Sequence, residues 1–201
     1  MSPLRERRRQ ETAREIQKAT LGLAMEKRLE DITTEEIAVA AGISTRTFFN
    51  YYPNKEAAAI GHPPSFSEEG RDALQNGSGS LPADIKGLLD KHMEVLERDE
   101  AILRVVGSIL RSNEKARGIF VGFLTAERAS LSEVLFSRVN DRQAAATLAS
   151  HAADAIGRAI HLWEHEEEIS LSEALDIVWE GVIDASRLLG PEGPSVHIWT
   201  F

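Results

Sequence analysis

The chain has 201 residues, of which 42% are hydrophobic and 27% charged, as in an ordinary globular protein and unlike a disordered or fibrous one. It contains no apolar run of about 18 residues and no signal-peptide pattern, so we expect a cytoplasmic protein without a membrane partner. The absence of cysteine excludes disulfides, thiolate nucleophiles and cysteine zinc sites.

The net charge of −9 is distributed unevenly along the chain. Residues 1–55 carry ten Lys or Arg against eight Asp or Glu, a net charge of +2, whereas the remainder carries −11. Basic residues crowd the first eighteen positions: Arg5, Arg7, Arg8, Arg9, Arg14 and Lys18. A basic arm on an acidic protein indicates either a local site for a polyanion or a solvated helix start.

Two helices are predicted at the N-terminal end. The first spans about residues 8–28 and is amphipathic, because its apolar residues recur at helical spacing. Thr33 and Glu36 form a capping box, so a second helix of about eight residues should begin near Thr34.

A glycine turn then leads into a third helix. Gly42 can end the second helix in a left-handed conformation, and Ser44 can cap the next one. The third helix should end at Tyr52, because the residue before Pro53 is pushed out of the helical region. Asn54 can cap a short fourth helix. Helix, tight turn and helix together make a helix-turn-helix motif.

The remainder of the chain reads as helical throughout. Residues 61–83 contain a loop, one short helix and a flexible connection. Five apolar stripes at helical spacing follow, near residues 85–96, 102–110, 119–124, 148–163 and 171–188. We therefore predict an all-α protein with a DNA-binding domain over residues 1–60 and a larger helical domain over residues 61–201.

The stretch ITTEEIAVAAGISTRTFFNYYPNKEA resembles the N-terminal DNA-binding domain of the TetR-type transcriptional regulators. The pattern Thr-x-x-x-Ile-Ala-x-x-Ala-Gly-Ile-Ser, followed by Thr-Phe-Phe-x-Tyr-Tyr-x-Asn-Lys-Glu, is matched at nearly every position. The resemblance implies a homodimer that binds a roughly palindromic operator and represses transcription until a small-molecule inducer enters the C-terminal ligand-binding and dimerisation domain. It covers about residues 8–60; the rest of the chain is similar to the family in length and helix count.

The residues of the third helix suit base recognition. In a helix-turn-helix, the second helix enters the major groove with its N-terminal residues against base edges. Arg46 can form a bidentate pair with guanine, Asn50 can pair with adenine, and Thr45 can contact either base. The predicted base-reading set is Ser44, Thr45, Arg46, Thr47 and Asn50.

Phosphate contacts are predicted by matching positions to the family pattern. Tyr51 fills the position whose hydroxyl typically reaches a phosphate, and Lys55 adds charge in the first turn of the fourth helix. Thr34 begins the second helix and can donate in the same way. Of the other aromatic residues, Phe48 and Tyr52 lie four apart and should face the core. Phe49 either packs at the rim or touches a thymine methyl group.

The C-terminal domain carries two predictions. The segment QAAATLASHAADAIGRAIHLW is rich in small residues, which either allow close approach of a second copy, together with the last helix, or pack internally. The predicted inducer site contains His92, Phe120 and Phe123, all of which can equally be core residues. The tail with Trp199 and Phe201 either packs on the dimer or is disordered.

An alternative function belongs to a different class. In HLWEHEEE, His161 and His165 lie one helical turn apart beside several glutamates, so a metal-binding helical protein is the alternative to a regulator. The segment lacks the Glu directly after the first His that zinc proteases need, and it also fits a helix end running into solvent. No phosphate-binding loop, nucleophile elbow or separated acid pair occurs elsewhere. We therefore expect no enzyme activity, no cofactor and no metal.

Overall fold

The computed structural model describes residues 3–166 and 168–190, and all regular structure within these ranges is helical. This confirms the predicted all-α class. The helices are α1 (Pro3–Glu26), α2 (Thr34–Ala40), α3 (Thr45–Tyr51), α4 (Lys55–Ile60), α5 (Glu68–Asn76), α6 (Leu81–Glu97), α7 (Glu100–Ser112), α8 (Glu114–Val139), α9 (Arg142–His165) and α10 (Leu171–Leu188). None of these helices has the length and apolar character needed to cross a bilayer. Trp199 and Phe201 lie outside the described residues, as does Glu167 in the acidic segment.

The chain forms two compact units. The first consists of Met1–Ser65 with Arg98–Glu127, and the second of Phe66–Glu97 with Arg128–Phe201. Helix α8 therefore contributes its N-terminal half to the first unit and its C-terminal half to the second. The functional division into residues 1–60 and 61–201 stays a prediction.

Local interactions explain where α1 begins and ends and where α2 begins. Helix α1 begins earlier than the predicted start near residue 8, because Pro3 suits a first helical turn. It ends at Glu26, two residues before the predicted end, because Arg28 is extended. The capping box of α2 is present: Thr33 Oγ1 accepts from the Glu36 amide at 3.2 Å, and Glu36 Oε2 accepts from the Thr33 amide at 2.8 Å.

The first unit buries a continuous apolar core. Helices α1, α2, α3 and α4 contribute side chains that are at most 3% exposed, including Ile16, Ile37, Phe48 and Ile60. Ile109 of α7 and Ala116 of α8 complete the same cluster. The helix-turn-helix is therefore stabilised by packing against residues far away in sequence.

One ion pair accompanies this core. Glu56, in the first turn of α4, is only 6% exposed, and its Oε2 lies 3.0 Å from Nζ of Lys115 in α8. A buried carboxylate needs such a partner, because its desolvation is costly.

In the second unit, α9 and α10 pack against each other and both contact α6. Helix α9 presents alanines to this core, and they are at most 1% exposed: Ala145, Ala149, Ala152, Ala155 and Ala159. These small side chains allow neighbouring helices to approach closely. The small residues of α9 thus do pack internally, while Ser150 and Gly157 on its other side are exposed.

Candidate DNA-binding surface

A tight turn sets the direction of α3. Gly42 has φ +66°, which an L side chain rarely adopts. The Ile43 amide donates to the Ala38 carbonyl at 2.9 Å, and the Gly42 amide donates to the Val39 carbonyl at 3.0 Å. This pair of bonds is the Schellman motif, which satisfies the last carbonyls of α2.

The start of α3 is capped by its own side chains. Ser44 Oγ accepts from the Thr47 amide at 3.1 Å, and the two hydroxyl oxygens lie 2.8 Å apart. This confirms Ser44 as the N-cap. Two of the predicted base-reading residues therefore also hold the helix terminus.

One side of α3 is buried and the other is open. Phe48 is fully buried, whereas Arg46 and Asn50 are exposed and Phe49 is 53% exposed. Thr45 is half-buried at the start of the helix. The arrangement presents a guanidinium and a carboxamide side by side on a surface, which are the groups that pair with purine edges.

The two tyrosines at the end of α3 have different surroundings. Tyr52 is 3% exposed, and its hydroxyl donates to the Ala13 carbonyl at 3.1 Å and lies 3.2 Å from Nδ1 of His62. Burial raises the pKa of Tyr52 to about 12. Tyr51 is half-buried and packs against the edge of the same core. The assignment of Phe48 and Tyr52 to the core is thus confirmed, and a phosphate contact by Tyr51 stays a prediction.

Lys55 has a structural role that sequence reasoning missed. Its Nζ donates to the backbone carbonyls of Glu30 at 2.6 Å and Ile32 at 2.8 Å, and so joins α4 to the connection before α2. Backbone carbonyls have no signature in the sequence, so no residue pattern signals this contact. An ammonium has three donors, which leaves one for a further partner.

The start of α2 carries acidic groups. Thr34 Oγ1 donates to Glu35 Oε2 at 3.2 Å. Nζ of Lys27 lies 2.6 Å from Glu36 Oε1, and this hydrogen bond, with those from Thr33, lowers the pKa of Glu36 to about 2. A phosphate reaching the predicted Thr34 contact would therefore meet carboxylates nearby, one of which is offset by Lys27.

The basic residues of the N-terminal segment lie on a helix. Arg5, Arg8 and Arg9 are exposed on α1, while Nε of Arg7 bonds Glu11 Oε1 at 3.0 Å. Arg14 is hydrogen-bonded to the Asp99 carboxylate. The two alternatives for this segment, polyanion site or solvated helix start, stay open.

The predicted inducer residues divide between the two units. In the second unit, the ring of His92 lies 4.9 Å from that of Phe66, and His92 is half-buried. In the first, Phe120 and Phe123 of α8 stack at 6.3 Å. All three have aromatic neighbours typical of core residues, and their role in ligand binding stays a prediction.

Part of the chain matches a known protein family. Residues 16–57 match the family described as bacterial regulatory proteins, tetR family. The matched segment runs from the middle of α1 into α4 and includes the whole turn and α3. No curated protein sequence matches the chain.

Several solved structures share the fold. The fatty acid degradation regulator FadR from Bacillus halodurans is 19% identical, with a TM-score of 0.57, over 91% of this chain and 97% of that one. A transcriptional regulator of the TerR/AcrR family from Aquifex aeolicus VF5 is 19% identical, with a TM-score of 0.54, over 86% and 98%. Thermus thermophilus FadR, a TetR-family repressor solved with lauroyl-CoA, is 19% identical, with a TM-score of 0.54, over 92% and 100%.

Proposed function

We propose that this chain, a TetR-family transcriptional regulator, binds operator DNA as a homodimer through α3 and represses transcription until a small-molecule inducer binds its helical C-terminal domain. The observation that carries the proposal is the geometry of α3. The Gly42 turn sets the direction of the helix, and the buried Phe48 packs it into the core. Arg46 and Asn50 on its other side are exposed to solvent. A helix held in this way can enter a major groove.

The contacts of α3 divide into two kinds. Arg46 and Asn50, with Thr45, read base edges, because their groups match guanine and adenine in the major groove. Ser44 and Thr47 hold the start of the helix and present their hydroxyls at the same surface. Base contacts carry specificity, whereas phosphate contacts set position and orientation.

Phosphate contacts flank the reading helix. Tyr51 offers a hydroxyl at the end of α3, and Lys55 offers its remaining N–H beside the start of α4. Thr34 is the third candidate, at the start of α2. A cation or hydroxyl in these positions neutralises or binds phosphate irrespective of base sequence, and the ionic part weakens as salt rises.

Dimerisation is proposed through the exposed sides of α9 and α10. Helix α10 exposes Ile177 and Leu188, each 53% accessible, with Gly181 between them also exposed. Helix α9 adds Gly157 on its exposed side. Apolar and small residues on two adjacent helices suit the helix-on-helix packing of a symmetric interface.

The test is binding of the full chain to DNA from the promoter upstream of its own gene, measured by fluorescence anisotropy against unrelated DNA. We expect tight, sequence-dependent binding. Arg46→Ala should weaken operator binding by about 1 to 3 kcal/mol and relax preference at one base pair. Lys91→Ala, which removes a positive charge from an exposed position of α6, is the control and should leave affinity unchanged.

Two outcomes would count against the proposal. If promoter and unrelated DNA bind equally, base reading by α3 is wrong. If the Arg46→Ala variant has the same base preference as the wild type at every position of the operator, Arg46 contacts phosphate or solvent instead of a base.

A further inference from the structure

The last turn of α9 brings three metal-ligand side chains together. His161, Glu164 and His165 occupy positions that share one face of a helix, and one ligand atom from each lies within 4.8 Å of the others. The two imidazole rings are 4.2 Å apart between centroids, and both are exposed. Glu164 is half-buried beside them.

The proton on His165 is fixed by the backbone. Its Nδ1 lies 2.7 Å from the His161 carbonyl oxygen. A carbonyl only accepts, so Nδ1 carries a hydrogen, and in the neutral ring the lone pair is then on Nε2. Metal-bound histidines commonly have their second nitrogen held in this way, which orients the ring and raises its basicity as a ligand.

The surroundings of these side chains favour a cation. The C-terminal end of a helix carries partial negative charge, and α9 ends at His165. Glu166 and Glu168 follow within three residues and are exposed. Within residues 3–166 and 168–190, no other group of three His, Asp or Glu side chains has this ligand spacing.

We propose that His161, Glu164 and His165 bind one borderline divalent transition-metal ion, with zinc as the test case. Two imidazoles and a carboxylate form a ligand set that zinc uses, with a water in the fourth position. Ligand atoms bonded at about 2.0 to 2.2 Å lie about 3.4 Å apart around a tetrahedral ion, and these three ligand atoms, within 4.8 Å of one another, need to approach only slightly to complete the site. The site belongs to the second unit and does not rest on the proposed function.

The experiment is calorimetric titration of zinc into the full chain, prepared without a histidine tag and stripped of metal with a chelator. We expect one zinc ion per chain and no binding of magnesium, because magnesium prefers oxygen ligands. His161→Gln and His165→Gln should each weaken zinc binding about tenfold or more, equivalent to about 1.4 kcal/mol. Circular dichroism of each variant shows that its helices are retained.

The control is another histidine of the same helix. Nδ1 of His151 lies 2.8 Å from the Thr147 carbonyl, as in His165, and His151 is also exposed. Its neighbours one turn away are Thr147 and Ala155, so it has no second imidazole. His151→Gln should bind zinc like the wild type.

Three results would overturn the site. Zinc binding that survives both His161→Gln and His165→Gln places the ion elsewhere. An equal loss in His151→Gln shows that any surface histidine contributes. If magnesium displaces zinc at a similar concentration, the three side chains act only as part of a general acidic surface.

Discussion

Adjacent residues of one helical turn perform different tasks in this protein. Tyr51 and Tyr52 differ by one position, yet Tyr51 is only half-buried, whereas Tyr52 is buried and its hydroxyl donates to the Ala13 carbonyl of α1. The difference follows from helix geometry, because successive side chains point about 100° apart. Sequence spacing predicted this division, since Phe48 and Tyr52 are four residues apart.

Removing each hydroxyl separately tests this division. Tyr52→Phe should lower the free energy of unfolding by about 1 kcal/mol, because it removes a buried hydrogen bond to Ala13, and should leave the operator affinity of the folded protein unchanged. Tyr51→Phe should keep stability and weaken operator binding at every sequence. Urea unfolding and DNA anisotropy measure the two effects. Loss of stability in Tyr51→Phe, or loss of affinity in Tyr52→Phe, contradicts the assignment.

The contacts of Lys55 cannot be predicted from its neighbours in the sequence. Its position predicts a phosphate contact, but its ammonium bonds the carbonyls of Glu30 and Ile32. Whether a lysine meets backbone or solvent depends on where a distant segment lies, which periodicity does not encode. The same holds for the basic residues of α1, where Arg14 pairs with Asp99, 85 positions away.

At the scale of helices, local signals predicted the structure well. The capping box of α2, the Gly42 turn and the Ser44 cap each involve residues within six positions of one another, so the sequence contains the whole interaction. The helix count after the flexible connection was also confirmed. The packing of Ile109 and Ala116 into the core of the helix-turn-helix was not predicted, because it depends on tertiary contacts.

Two glycines provide a matched test of the turn. Gly42→Ala should destabilise the fold by about 1 to 2 kcal/mol, because its φ of +66° is strained for an L residue although nothing lies within 4 Å of the added carbon. Gly22→Ala should instead stabilise it by about 0.5 to 1 kcal/mol, since Gly22 is helical and its surroundings are equally open. Thermal unfolding distinguishes them. Equal effects of the two changes would show that the turn conformation is not the cause.

The stability of the folded state should depend on the protonation of Glu36 at the start of α2. The pKa of Glu36 is lowered to about 2, chiefly by its hydrogen bond from Lys27, so its carboxylate stabilises the folded state above pH about 4.5. That contribution is lost as pH falls from about 4.5 toward 2, because the unfolded state then binds more protons. Glu36→Gln should flatten the fall in melting temperature over this range. An unchanged acid profile would contradict the role of this pair.

At the scale of the whole molecule, the proposed dimer requires two copies of α3 to act together. A dimer that reads two half-sites places them about 34 to 36 Å apart, one turn of DNA. The total charge of −9 would repel DNA, so the proposed operator binding requires the net +2 of residues 1–55 to lie toward the DNA. The charge asymmetry can be read from the sequence, whereas the division of α8 between two units depends on contacts that only the folded chain shows.

The proposed interface can be tested by adding charge. Ile177→Glu should convert the dimer to a monomer and weaken operator binding at least about tenfold, because a buried unpaired charge costs more than 1.4 kcal/mol. Val121→Glu is the control, since Val121 of α8 is equally exposed at 53%. Light scattering after size-exclusion chromatography measures the mass. A wild-type monomer, or a dimer that persists in Ile177→Glu, would place the interface elsewhere.

The ion pair between Glu56 and Lys115 links α4 directly to the first turn of α8. The carboxylate is nearly inaccessible to water, while the lysine is 60% exposed. Drawing Lys115 away would leave the buried carboxylate without its cation, and the cost in free energy opposes such a movement. The pair thereby ties the position of the first turn of α8 to that of α4, the helix that follows α3.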